Sequence, residues 1–389
     1  MNQETGMHGT TPPATNRHWA AINEVSFVAG MRLLFLIFRL FGRWPFRVLL
    51  YPVLLWYVAT QSRARRASRD YLRNVRAFKH AQEQKQGQER RKISGKVALR
   101  DILRHFATFA EAILDKMLLW GGLYPLEKVR FHGIEVMNRH IVEKRGTLLI
   151  CSHLGNVELC RVLSRQRSDL KLTVLVHTKH AQAFNRMLAK LDPASQLNLM
   201  QVTDMNPATA MLLAERIAQG EFIVIAGDRV PVSPNPRVAV ADFLGQPAAF
   251  PIGPYVLASI LQCPLYMLFC EQTGGIADVY FECLRDSVRL PRQRPLRRKT
   301  GAAQTSPHAR ASGAATGRQA AADGNDAPAL EPDANTSAAA APTQEQVLQQ
   351  LATDYATHLQ AHCLRAPLQW FNFYDFWHLP QLESADAAR

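Results

Sequence analysis

The chain has 389 residues, 47% of them hydrophobic and 20% charged, which suits a globular core of one large domain or two ordinary ones. A formal charge of +14 calls for an anionic partner: nucleic acid, a membrane surface or a phosphorylated substrate. Zinc-finger spacing, an aromatic RNA-binding sheet motif and a basic region leading into heptads are all missing, so nucleic acid is excluded as the partner.

Residues 1–18 are polar and rich in Thr and Pro, and read as a tail without the features of a signal peptide. Residues 19–62 form an apolar, membrane-anchoring segment, but Arg32, Arg39, Arg43 and Arg47 interrupt it. Its longest uncharged run, 48–62, falls short of the roughly 20 residues that cross a bilayer and contains Pro52. The pattern fits a helical hairpin, or helices lying in the interface with Arg snorkelling to headgroups; a buried core helix is the alternative. Residues 63–100 form a basic juxtamembrane helical region, with 13 Lys and Arg against Asp70, Glu83 and Glu89. Beside an apolar run that carries Trp44, Trp56 and Tyr57, such a cluster marks a cytoplasmic membrane face and attracts anionic headgroups.

From 101 to 299 the pattern is that of an α/β domain. A helix is expected over 101–122, ending at Gly121 and Gly122. Strands follow at 147–151, 170–177, 221–227, 263–271 and 278–284, separated by helical stretches at 157–166, 181–191, 208–220 and 250–261. This alternation implies a mixed, mostly parallel sheet flanked by helices. Residues 300–342 have almost no large apolar side chains and read as a disordered insertion. A C-terminal helix and an aromatic run "LQWFNFYDFW", within 343–378, complete the domain by packing against the sheet, and 379–389 form a tail. The six cysteines show no CxxC pair or metal-ligand spacing and read as reduced thiols in a cytosol-facing protein, with Cys151 as a minority nucleophile candidate.

The stretch "CSHLGNVELC" (151–160) carries His153 and, five residues later, Glu158. A second pair of that spacing, His378 and Glu383, follows the last folded element with Pro380 between and reads as accidental. On a continuous helix a five-residue offset turns about 140°, so the side chains would diverge. They meet if His153 lies in the strand-to-helix turn and Glu158 in the first helical turn, with Asn156 as N-cap. The acid then holds one imidazole nitrogen and leaves the other to take a proton. A hydrogen-bonded loop histidine beside a helix-start acid is the alternative. Gly227, Asp228 and Arg229 end a strand, where ligands of α/β sheets collect, and an Arg there suits phosphate. A structural salt bridge from Arg229 to Asp228 or Asp242 is the competing reading.

With "SHLGNVELCR", "HTKHAQAFNRML", "IAGDRVPV", "DFLGQPAAFPIGPYVLA" and "CPLYMLF" in this order, the chain resembles the lysophospholipid acyltransferase superfamily. Within it, the chain is most similar to the branch of bacterial late acyltransferases of lipid A biosynthesis, and there to acyltransferases of aryl-polyene pigment clusters. The resemblance implies a His-x4-Glu motif in which His153 is the general base for the acceptor hydroxyl and Glu158 orients it. It implies a basic residue at Arg186 in "FNRML" near phosphate, with Phe184 and Asn185 beside it, and a third motif at Gly227, Asp228 and Arg229, where the order of acid and glycine departs from the glycerolipid pattern.

These expectations combine into a membrane-associated acyltransferase at the cytoplasmic face of a bacterial inner membrane. It would carry an acyl group from an acyl-carrier-protein or coenzyme A thioester to a hydroxyl of a lipid A-type, glycerolipid or aryl-polyene acceptor. Backbone amides near 155–157 would form the oxyanion site. No metal or resident cofactor is expected; His177 and His180 show no ligand pattern. A serine or cysteine hydrolase lacks its G-x-S-x-G elbow. A catalytically inactive lipid-binding or assembly protein of the same fold is the alternative from another class.

Overall fold

A computed structural model describes residues 33, 36–86, 97–120, 123–160, 169–176, 197–201, 206–231, 236–291 and 341–378. The chain groups into one unit comprising Met1–Leu290 with Glu345–Arg389, and a second, Pro291–Gln344, nearly all of it outside those residues. The expected tails at 1–18 and 379–389, residues 300–340 of the insertion expected at 300–342, Gly121 and Gly122, and the helix at 181–191 also lie outside them.

Three helices come first: α1 (Arg43–Thr60), α2 (Ser62–Lys85) and α3 (Leu99–Trp120). The Arg65 guanidinium donates to the carbonyls of Val58 and Ala59, groups that the end of α1 leaves without intrahelical partners. Arg43 and Arg47 do not snorkel toward headgroups. They turn onto α3, where Arg43 Nη2 donates to Asp115 Oδ1 (2.5 Å) and Arg47 Nε to Glu111 Oε1 (2.7 Å). Burial raises the Asp115 carboxyl above its ordinary range, and Arg43 and a hydrogen bond from Gln272 oppose that rise. Phe46, Leu54 and Val58 of α1 are buried, while Trp44 (74% exposed), Val48, Tyr51, Leu55 and Trp56 (66% exposed) face outward. No helix among the described residues is long and apolar enough to cross a membrane.

The α/β core is the expected mixed, mostly parallel sheet. Its strands are β1 (Val129–His132), β2 (Thr147–Cys151), β3 (Leu172–Val176), β4 (Leu197–Gln201), β5 (Phe222–Ala226), β8 (Leu265–Thr273) and β9 (Ile276–Arg285); a separate hairpin comprises β6 (Val238–Phe243) and β7 (Gln246–Pro251). The order is β1-β9-β8-β2-β5-β3-β4, with β8 and β9 antiparallel and every other pair parallel. Helices α4 (Ile134–Val142), α5 (Pro207–Ala218), α6 (Gly253–Leu261) and α7 (Gln344–Arg365) complete the fold.

Side chains alternate across the central strands, so both faces are covered. Leu148 and Ile150 of β2 pack in one core with α5, α6 and α7, while Leu149 and Cys151 pack in another with α3 and α4. Periodicity did not pick out β1, α4, β4 or the hairpin β6–β7. The hairpin occupies 250–251 where a helix was expected. Its turn is Leu244-Gly245, both at positive φ, and a buried leucine in that role gives none of the usual Asn-Gly signal.

At the centre of the sheet, Gly227 N donates to the Cys151 carbonyl (2.8 Å), and a Cβ there would run into Ile150 and the Tyr355 ring. Gly227→Ala should therefore lower the unfolding free energy by about 1–3 kcal/mol, read from urea melts, with the far-UV spectrum of the folded state unchanged.

Candidate active site

Strands β2 and β5 are adjacent, parallel and in register, with Cys151 opposite Ala226. Two residues beyond each lie His153 and Asp228, so the strand pairing itself brings the two side chains together. The His153 backbone N–H donates to Asp228 Oδ2 (2.7 Å) and its Nδ1–H to Asp228 Oδ1 (2.7 Å). That tautomer leaves the Nε2 lone pair as the proton acceptor. Asp228 has no solvent exposure, whereas the His153 side chain is 33% exposed. Gly155 permits the sharp exit from the strand. Its φ is +61°, and a Cβ would strike the Cys270 carbonyl oxygen.

The far side of the pair is built by the aromatic run after α7. It lies against the loop after β2: Gly155 N donates to the Gln369 carbonyl (2.7 Å) and Phe371 N to the His153 carbonyl (2.8 Å). From this segment Trp370 Nε1 (2.9 Å) and Asn372 Nδ2 (3.1 Å) both donate to Asp228 Oδ2. Tyr374 donates to the Asp228 carbonyl (3.3 Å). Trp370 is fully buried against Tyr71 of α2, Phe243 and Phe376. Its carbonyl accepts from His105 Nε2 (2.9 Å), and Ser68 donates to His105 Nδ1 (2.9 Å).

Burial alone would raise the Asp228 carboxyl, but the charge and hydrogen bond of His153, with Arg229 nearby, hold it below its ordinary value. Burial, and then the Arg229 charge, lower the His153 imidazole, with Asp228 partly offsetting them. A histidine lowered in this way is neutral at physiological pH, the state a general base needs.

The carboxylate bonded to His153 Nδ1 is Asp228. Glu158 sits in the first turn of a short 3-10 helix (Val157–Leu159). Asn156 takes the N-cap position but makes no capping bond; its buried amide nitrogen and oxygen, like the Ser152 hydroxyl, find no partner among the described residues. Arg229 forms neither of the salt bridges considered as its alternative: Nε donates to Asn372 Oδ1 (2.8 Å) and Nη2 to the Phe371 carbonyl (3.0 Å). Arg186, with Phe184, Asn185, His177 and His180, lies outside the described residues. Cys151 is buried, and burial and then Asp228 push its thiol well above the ordinary value, which disfavours the thiolate that a nucleophile needs. Among the described residues no cluster of His, Cys, Asp and Glu is arranged to hold a metal.

Trp370, Asn372 and Gln369 were not singled out from the sequence as site residues. The density of aromatics at 370–377 was the one available signal, and it pointed to packing.

A half-buried histidine bonded to a fully buried carboxylate at the carboxyl ends of adjacent parallel strands is an arrangement suited to acid–base chemistry. Residues 104–281 match the family model of bacterial lipid A biosynthesis acyltransferases. That match supports an acyltransferase of the lipid A acyltransferase-like branch of the lysophospholipid acyltransferase superfamily, as the motifs implied. No curated protein matches it.

His105 supplies a check on the wall behind the site. Burial lowers it from 6.5 to about 4, so the unfolded chain takes up the proton first. Its contribution to stability is complete above about pH 6.5 and is lost as pH falls toward 4, at up to about 1.4 kcal/mol per pH unit. His105→Asn should be less stable at neutral pH but show a flatter fall in urea midpoint between pH 6.5 and 4; an unchanged slope would count against this assignment.

Proposed function

We propose that the protein transfers a fatty acyl group directly from a thioester, acyl-carrier protein or coenzyme A, to a hydroxyl of a lipid acceptor, with His153 as general base. The observation that carries this reading is the Nδ1 bond from His153 to fully buried Asp228, which leaves Nε2 as the proton acceptor. The acceptor oxygen attacks the thioester carbonyl as its proton passes to Nε2. The tetrahedral oxyanion then collapses, the carbon–sulfur bond breaks, and the thiolate leaves with the proton returned from the imidazolium. Asp228 stabilises that imidazolium.

For the oxyanion, the proposal narrows to the amides of Asn156 and Val157, because the Gly155 N–H is already bonded to Gln369. The partnerless Asn156 carboxamide and Ser152 hydroxyl support a polar substrate group there, since buried unsatisfied polar atoms are rare without a role. Arg229 and Arg186 are proposed to favour phosphate. The acceptor class is a lipid A-type, glycerolipid or aryl-polyene lipid.

Lipid mass spectrometry tests this reading in a deletion strain carrying wild type, His153→Ala or Asp228→Asn at matched levels. An acylated species should be present with wild type and absent with His153→Ala. Asp228→Asn, which holds the ring in the wrong tautomer, should lose on the order of 10⁴-fold in rate. Equal product from all three strains would leave an inactive lipid-binding protein.

We also propose attachment to the cytoplasmic face of a bacterial inner membrane, with α1 lying in the interface. Support comes from the outward Trp44, Val48, Tyr51, Leu55 and Trp56, followed by exposed Arg63, Arg66, Arg69 and Arg73 on α2. The protein should sediment with vesicles containing anionic phospholipid, less so at high salt, and Trp44→Ser with Trp56→Ser should weaken that binding several-fold. Equal binding by the double variant would remove α1 from the contact.

A further inference from the structure

We propose that Asn372 is a positioning residue for the reaction, and that the segment 369–374 belongs to the active site although it lies outside the part of the chain that matches the family. The inference rests on His153 being the general base.

One carboxamide bridges two opposite charges. Its Nδ2 donates to Asp228 Oδ2 (3.1 Å) and reaches the Asp228 carbonyl (3.4 Å), while its Oδ1 accepts from Arg229 Nε (2.8 Å). Asn372 is buried, so neither bond is shared with bulk water. A neutral amide with its donor toward the carboxylate and its acceptor toward the guanidinium fixes both without cancelling either. A direct salt bridge would draw Arg229 onto Asp228 and compete with the His153 bond. Together with Trp370 and the two bonds of His153, Asn372 completes four N–H donors around the Asp228 carboxylate. The backbone register of the segment, set by Gly155 N to Gln369 O and Phe371 N to His153 O, aims Trp370 and Asn372 at the same oxygen. Behind it, His105 holds the Trp370 carbonyl and Gln369 exchanges hydrogen bonds with Gln272 of β8.

The charge change in Asn372→Asp separates positioning from mere packing. The variant keeps the side-chain size and the acceptor for Arg229, but replaces the donor to Asp228 with a second negative charge. That charge favours the imidazolium, so the acid limb of the pH dependence of kcat/KM should move upward by about half a unit to one unit. A neutral, smaller Asn372→Ser should leave the limb near its wild-type position and lower kcat on the order of a hundredfold through misplacement of the pair.

Both variants are measured as full-length chains in membranes, with palmitoyl-coenzyme A and palmitoyl-acyl-carrier protein supplied in turn, beside His153→Ala and a thermal melt. The expected result is the shifted limb in Asn372→Asp and the lowered kcat in Asn372→Ser, with melting temperatures near wild type. Wild-type kcat and an unmoved limb in either folded variant overturn the proposal, as does failure of both to fold, which would make the residue structural. If neither donor gives turnover that depends on His153, it is the acyl-transfer reading that falls. If His153→Ala is inactive while both Asn372 variants behave as wild type, this inference alone falls.

Discussion

A carboxylate with no exposure to solvent is the constraint on which the rest of the site depends. Removing Asp228 from water is costly unless its lone pairs are satisfied, and four N–H groups from two separate stretches of chain satisfy them. Two come from His153 itself, so the group that is expensive to bury is also the group that fixes the base. The charge is stabilised in the arrangement that orients the imidazole, which couples folding of this region to the orientation of His153.

The stretches that meet at Asp228 come from distant parts of the chain. The strand register of β2 and β5 places His153 beside it, and the segment after α7 closes the other side through Trp370 and Asn372. The N-terminal helices hold that segment in turn, with Tyr71 packed on Trp370 and the Ser68–His105 pair bonded to its carbonyl. Helices α1 and α2 thus have two faces with different tasks. The inner side of α2 braces the wall behind Asp228 through Ser68 and Tyr71, and the outer sides of both helices carry exposed aromatics and arginines. Arg43 and Arg47 belong to the inner side, because α3 offers them Asp115 and Glu111.

A second consequence concerns the loop after β2. The positive φ at Gly155 and its bond to Gln369 use up one amide of the turn, which leaves the later amides and the partnerless Asn156 and Ser152 side chains as the polar groups beside the base. Polar atoms buried without partners weaken a fold.

By itself, the sequence determined the class of fold, the central strands and the place of His153 at the end of one of them. Runs of β-branched and aliphatic residues bounded by turn residues identify buried parallel strands, and a histidine directly after such a run stands at the end where ligands collect. It also determined the family, because five motifs in fixed order survive as short local patterns. The tertiary structure decided the partner of the base. Glu158 is near His153 along the chain, but an acid's neighbours are set by strand pairing, and the register of β2 with β5 brings in Asp228 from 75 residues away. Likewise, Trp370 and Asn372 look like packing residues in sequence, since an aromatic run has no period that reveals which of its polar atoms face a carboxylate. The inward arginines of α1 and the Leu244-Gly245 turn were hidden for the same reason: each is chosen by a contact distant in sequence, which local composition does not encode.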